Sequence, residues 1–151
     1  MAACGFQPIY SQKNTGPVDV TQNIHIVTSQ NRNHQILTNQ LSELLNIYGR
    51  PARAEYKLLS AVEVTSSSIG QQDDSTTIRK TSKVSVKFTL VGQGRNADVN
   101  ETFTLRHMSS FSETQNSYAT YVSENDAIKS SLSEIAQSAK LRIALILRGR
   151  N

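Results

Sequence analysis

The spacing of apolar residues changes several times along this chain, and each change marks an element. Ile24 and Ile26 alternate with Asn23 and His25 and run into Val27, a period of two that predicts a short strand. From Asn33 to Tyr48 the period lengthens: Leu37, Leu41, Leu44, Leu45 and Tyr48 recur at steps of three and four, with Gln40 and Glu43 turned away, so a helix is expected. Gly49 and Pro51 should end it, the first offering a left-handed cap and the second unable to continue. Tyr56, Leu58, Val62 and Val64 alternate again as a second strand. After a polar stretch from Ser66 to Ser75, Ile78, Val84, Val86, Phe88 and Leu90 share one face of a third strand. Arg79, Thr81, Lys83, Ser85, Lys87 and Thr89 share the other.

Gly94-Arg95 reads as a two-residue hairpin loop, with Gly at the first central position of a type II′ turn. That loop would set Leu90 opposite Val99, Phe88 opposite Glu101, Val86 opposite Phe103 and Val84 opposite Leu105, and Lys83 would face Arg106. Every pair then comes out consistent, the apolar faces of the two strands coinciding apart from Glu101 near the hairpin end, and a one-residue slip would destroy that agreement. A second polar stretch, Ser109 to Ser117, leads to a long final helix. Its capping box is expected at Ser123-Glu124-Asn125-Asp126, with Tyr118 to Val122 as an earlier helical turn. Ile128, Leu132, Ile135, Ala139, Ile143 and Ile146 form its stripe. Leu141 to Leu147 is apolar nearly all round and is expected to be well buried.

The order β-α-β-β-β-α, with one apolar face on each element, predicts an α+β two-layer sandwich: a four-stranded, mostly antiparallel or mixed sheet with two helices on one face. The other sheet face, polar and basic, is expected to meet water. Residues 23–151 form the single domain, and 1–22, with Pro, Gly and Asn and little periodicity, form an extended tether.

Composition narrows the function. A chain of 151 residues suits one domain, burying roughly 70% of its unfolded surface. Only 37% of residues are hydrophobic and 19% charged, because Ser, Thr, Asn and Gln fill the surface, as in a wet or glycan-like setting. Sixteen Lys and Arg against twelve Asp and Glu favour an anionic partner. No run reaches the eighteen or so apolar residues of a membrane-spanning helix.

Catalytic groupings are scarce. His25, His34 and His107 have no metal-ligand spacing and read as solvated structural histidines. No nucleophile elbow and no phosphate-cradling glycine loop occurs. The expectation is a protein that is not an enzyme and has no cofactor and no metal. Binding is better supported. Lys83, Lys87 and Arg106, with Arg79 outlying and Arg95 at the hairpin tip, compose a basic patch on the polar sheet face. It is either a solvated surface or a seat for phosphates, since like charges held opposite each other are relieved by an anion.

The first ten residues carry the one cysteine. Ala2-Ala3-Cys4-Gly5 is similar to the end of a bacterial lipoprotein signal, where a small residue precedes the acylated Cys. The basic and apolar regions of such a signal do not precede it here, so Met1 is read as the start of a piece. A free thiol on a frayed terminus is the alternative. Cys4-Gly5-Phe6-Gln7-Pro8-Ile9-Tyr10, the element order, and the segments Tyr118-Ala119-Thr120-Tyr121-Val122, Asp126-Ala127 and Leu141-Arg142-Ile143-Ala144-Leu145 together resemble the lipopolysaccharide-assembly lipoprotein family LptE, most of all its alphaproteobacterial branch. That family usually has Leu where Ile9 stands.

The resemblance implies lipid attachment at Cys4 and a place on the periplasmic face of the outer membrane, held through the N-terminal lipid. It implies a partner, the LptD-type β-barrel lipopolysaccharide-assembly protein, whose lumen the lipoprotein plugs, and direct binding of lipopolysaccharide through basic residues. A polar surface suits such a lumen. Two other readings stand beside it. A generic periplasmic adaptor lipoprotein of a transport system would share anchor and size. A basic nucleic-acid-binding module is disfavoured, because an RNA-recognition domain orders its elements β-α-β-β-α-β and carries stacking aromatics on the open face; no nucleic-acid partner is expected.

Overall fold

In the computed structural model, residues 21–68 and 78–149 are described. Strand β1 (Ile24–Ile26) leads into helix α1 (Arg32–Leu45), then β2 (Tyr56–Ser68), β3 (Ile78–Gly92), a single 3-10 turn (Gly94–Asn96), β4 (Asn100–Glu113) and helix α2 (Ser117–Arg148). The four strands stand in chain order in one mixed sheet. β1 runs parallel to β2, because the chain returns through α1, whereas β2, β3 and β4 are joined as antiparallel neighbours. This is the α+β sandwich that the apolar periods predict.

One face of the sheet is apolar because alternate side chains share a side. Ile24, Ile26, Leu58, Val84, Val86, Phe88 and Leu90 meet Leu37, Leu41 and Leu45 of α1 and Leu132, Ile135, Ala139 and Ile143 of α2 in one buried cluster. Phe88 and Phe103 stack across the β3–β4 pair with ring centroids 5.3 Å apart. α1 packs on β1, β2 and α2; α2 lies along β4 and β3. Both helices therefore cover the same face.

Four local expectations are corrected. α1 ends at Leu45, where Asn46 donates its N–H to the Ser42 carbonyl, so Tyr48 lies beyond the helix and is exposed. Gly49 still takes the left-handed conformation, φ 100°, but in the turn after the helix.

The hairpin is longer than two residues. The Gly92 N–H donates to the Val99 carbonyl at 2.8 Å, and a 3-10 turn fills the space between. Leu90 therefore faces Glu101, Phe88 faces Phe103, Val86 faces Leu105 and Val84 faces His107, a shift of two residues. A shift of two leaves every side chain on its predicted face. The Phe88–Phe103 pairing is what the true register gains.

At the other end, α2 begins at Ser117 and not at Ser123: Asn116 caps it by accepting from the N–H groups of Tyr118 and Ala119. The earlier turn at Tyr118 to Val122 is part of one continuous helix. Its C-terminal turns are not buried all round, for Leu141 and Leu145 are 67% and 65% exposed while Ile143 and Leu147 are buried. Among the described residues, only one side of that end has a partner element. Cys4 and residues 1–20 of the tether lie outside the described residues.

Candidate anion-binding face

The sheet face away from the helices is built in rows across β2, β3 and β4, read from the ladder register. Leu59, Thr89 and Thr102 make one row, and Ala61, Lys87 and Thr104 the next. Glu63, Ser85 and Arg106 follow, then Thr65, Lys83 and Met108. Neighbouring strands are about 4.8 Å apart, so each row spans roughly 10 Å.

Arg79, Lys83, Lys87 and Arg106 all sit on this face, as the alternation predicts. Their arrangement differs from the expected one. Lys83 faces Met108, and Arg106 faces Ser85. The slip by two places Arg106 diagonally between Lys83 and Lys87. Diagonal cross-strand neighbours are about 7–8 Å apart, within reach of long side chains. Direct opposition of Lys83 and Arg106 is thereby replaced by a triangle of cations with Arg106 at its apex.

Two members fall outside that triangle. Arg79 pairs with Ser112, four residues along β3 from Lys83 and so about 13 Å away. Arg95 lies in the 3-10 turn and lines a different hollow with Arg53, Glu55 and Gln93. The structure does not bring it to the others.

A shallow depression of about 240 Å³ opens in the middle of the face, lined by Glu63, Thr65, Lys83, Ser85 and Arg106. It forms because Ser85 is short while Glu63 and Arg106 on either side are long. Among the described residues no carboxylate lies within ion-pair distance of Lys83, Lys87 or Arg106; Lys80, on the opposite face, is the lysine that pairs, with Glu113 at 2.7 Å. Glu63, Thr65 and Ser85 were not among the predicted site residues. The matching of Leu58, Val62 and Val64 of β2 with Leu90, Val86 and Val84 of β3 would have placed them, since that register brings Glu63 beside Ser85.

The histidines are not all solvated. His34 is buried between α1 and β2: its Nδ1 accepts from the Ser29 N–H at 3.1 Å, which leaves the proton on Nε2 to be donated to the Ser60 carbonyl at 2.8 Å. His107 begins a chain that ties β4 to α2. Ser109 donates to the Ala127 carbonyl at 2.9 Å, so Ser131 must donate to Ser109 and His107 Nδ1 to Ser131, at 2.9 and 3.0 Å. Each proton is used once. These histidines hold elements together, and His25 alone is exposed, on the open face beside Lys57. Among the described residues no three potential metal ligands gather, and no helix is long and apolar enough to cross a membrane.

No family model and no curated protein matches the sequence. Solved structures do. A candidate lipoprotein from Caulobacter crescentus CB15 superposes with a TM-score of 0.69 at 18% identity, over 89% of this chain and 97% of that one. A minor lipoprotein from Acinetobacter baumannii gives 0.63 at 15%, over 83% and 94%. Rare lipoprotein B from Shewanella oneidensis gives 0.58 at 10%, over 82% and 94%. The likeness is one of fold. It takes in nearly the whole of each neighbour, so the sheet and both helices described above are their common architecture.

Proposed function

We propose that this chain is a non-enzymatic lipoprotein of the outer membrane, anchored through Cys4. In this reading it plugs and supports a β-barrel lipopolysaccharide translocon and receives lipopolysaccharide phosphates on the open sheet face. The observation that carries it is the shared fold: the structures it resembles are lipoproteins or a candidate lipoprotein, and the agreement covers 82–89% of this chain. The Cys4-Gly5-Phe6-Gln7-Pro8-Ile9-Tyr10 start and the Lys83–Arg106–Lys87 triangle, which no described element covers, support the finer parts of the reading.

An anchor of this kind needs more than one acyl chain, because a single chain binds a membrane only marginally. Metabolic labelling of the native precursor with a fatty-acid probe should mark the parent and not Cys4→Ser; label that persists in the variant removes the anchor. Affinity capture from detergent-solubilised outer membranes should recover a large β-barrel protein. Recovery of an inner-membrane transporter component in its place would favour the adaptor reading.

A further inference from the structure

We propose that the depression centred on Ser85 selects zwitterionic phosphates: ligands that carry an ammonium group a few bonds from the phosphate, as a phosphoethanolamine group does. This rests on the phosphate-binding reading of the same face and names what that face discriminates. The argument starts from Glu63, the acidic member of the lining. A surface meant only for bare phosphate gains nothing from a carboxylate one row-width from its arginine, because that charge repels the incoming anion.

The geometry gives the carboxylate a use. Ser85 separates Glu63 on β2 from Arg106 on β4, so the row runs negative, neutral, positive across roughly 10 Å. Lys83, beside Ser85 on β3, adds a second cation, and Ser85 and Thr65 bring hydroxyl groups to the lining. A phosphate between Arg106 and Lys83 would receive charge-assisted hydrogen bonds, with Arg able to engage two oxygens. An ammonium on the same ligand would then point across Ser85 toward Glu63. The depression of about 240 Å³ admits one such small group. Both helices lie on the other face of the sheet, and no described element covers this one.

The test compares O-phosphoethanolamine with methyl phosphate, which lacks the ammonium, by titrating the folded protein at low salt and following backbone amide NMR shifts of Ser85 and Arg106. The parent should bind O-phosphoethanolamine several-fold more tightly. In Glu63→Gln the preference should vanish or invert, because methyl phosphate gains from loss of the repulsion while O-phosphoethanolamine loses its ammonium partner. Glu63 is exposed, so the variant should melt with the parent. Equal affinity of the parent for the two probes, or an unchanged preference in Glu63→Gln, overturns the selectivity. If Lys83→Glu with Arg106→Glu still abolishes lipopolysaccharide binding in that case, the phosphate face stands without it. If that double variant binds lipopolysaccharide like the parent, the face itself is wrong and the selectivity falls with it.

Discussion

Gly92 and Gly94 stand two residues apart in the β3–β4 turn and are needed for different reasons. A Cβ on Gly92 would run into the Asn96 backbone carbonyl, which folds back over it as Gly92 bonds Val99. Gly94 has open space around it but sits at φ 60°, where a side chain strains the backbone. Gly92→Ala should therefore cost about 1–3 kcal/mol, since a backbone atom cannot swing aside. Gly94→Ala should cost roughly 1 kcal/mol, and Gly94→Asn less, because Asn tolerates the left-handed region. Urea titration of the parent, these three variants and Gly92→Asn checks the pattern; a Gly92→Asn protein more stable than Gly92→Ala would contradict it. His34 poses the same kind of question in the core. His34→Leu keeps the volume but strands the Ser29 N–H and the Ser60 carbonyl, and about 1–3 kcal/mol should be lost. A Leu variant as stable as the parent in the same titration would show those two bonds to be idle.

At the scale of elements, a helix is anchored by the side it buries. Leu132 is fully buried against the sheet and Leu141, nine residues on in the same helix, is two-thirds exposed. Leu132→Ala should cost about 2–5 kcal/mol through lost burial and the cavity left behind. Leu141→Ala should stay within roughly 0.5 kcal/mol, as for an ordinary surface change. Equal losses in thermal melts would mean that the outer side of α2 is covered in solution. The contrast also shows what a sequence can tell. Period and face are local, so the strands, both helices and the sidedness of Lys83, Lys87 and Arg106 were legible from alternation alone. Leu141 and Leu145 have the same chemistry as Ile143, and only the position of the sheet decides which side of the helix is inside. Register is not local either: Gly94 suggested a short turn, and the Phe88–Phe103 stack, which selects the longer one, becomes visible only when two strands are compared residue by residue. Glu63 went unseen for the same reason.

Among the described residues, the helices and the buried apolar cluster occupy one side of the sheet and a hydroxyl-rich basic face that no described element covers the other, on a chain of net charge +4. That separation lets a charge change on the open face act on binding without touching the core. Arg106 lies diagonally between Lys83 and Lys87, so reversing it removes the cation that neighbours both lysines and sets a second carboxylate, besides Glu63, among them. Lys83→Glu with Arg106→Glu should weaken binding of purified lipopolysaccharide many-fold at low ionic strength. The difference from the parent should shrink as salt approaches 1 M, where the screening length falls to about 3 Å. Arg95→Glu, in its separate hollow at the hairpin tip, should change binding far less. The melting temperature and capture of the barrel should stay close to those of the parent in both variants, because none of these side chains enters the buried cluster. The comparison of the two variants decides where the anion sits. A double variant that binds as tightly as the parent, with Arg95→Glu impaired, would move the site from the middle of the sheet to its hairpin end, where Arg53, Glu55, Gln93 and Arg95 line one hollow.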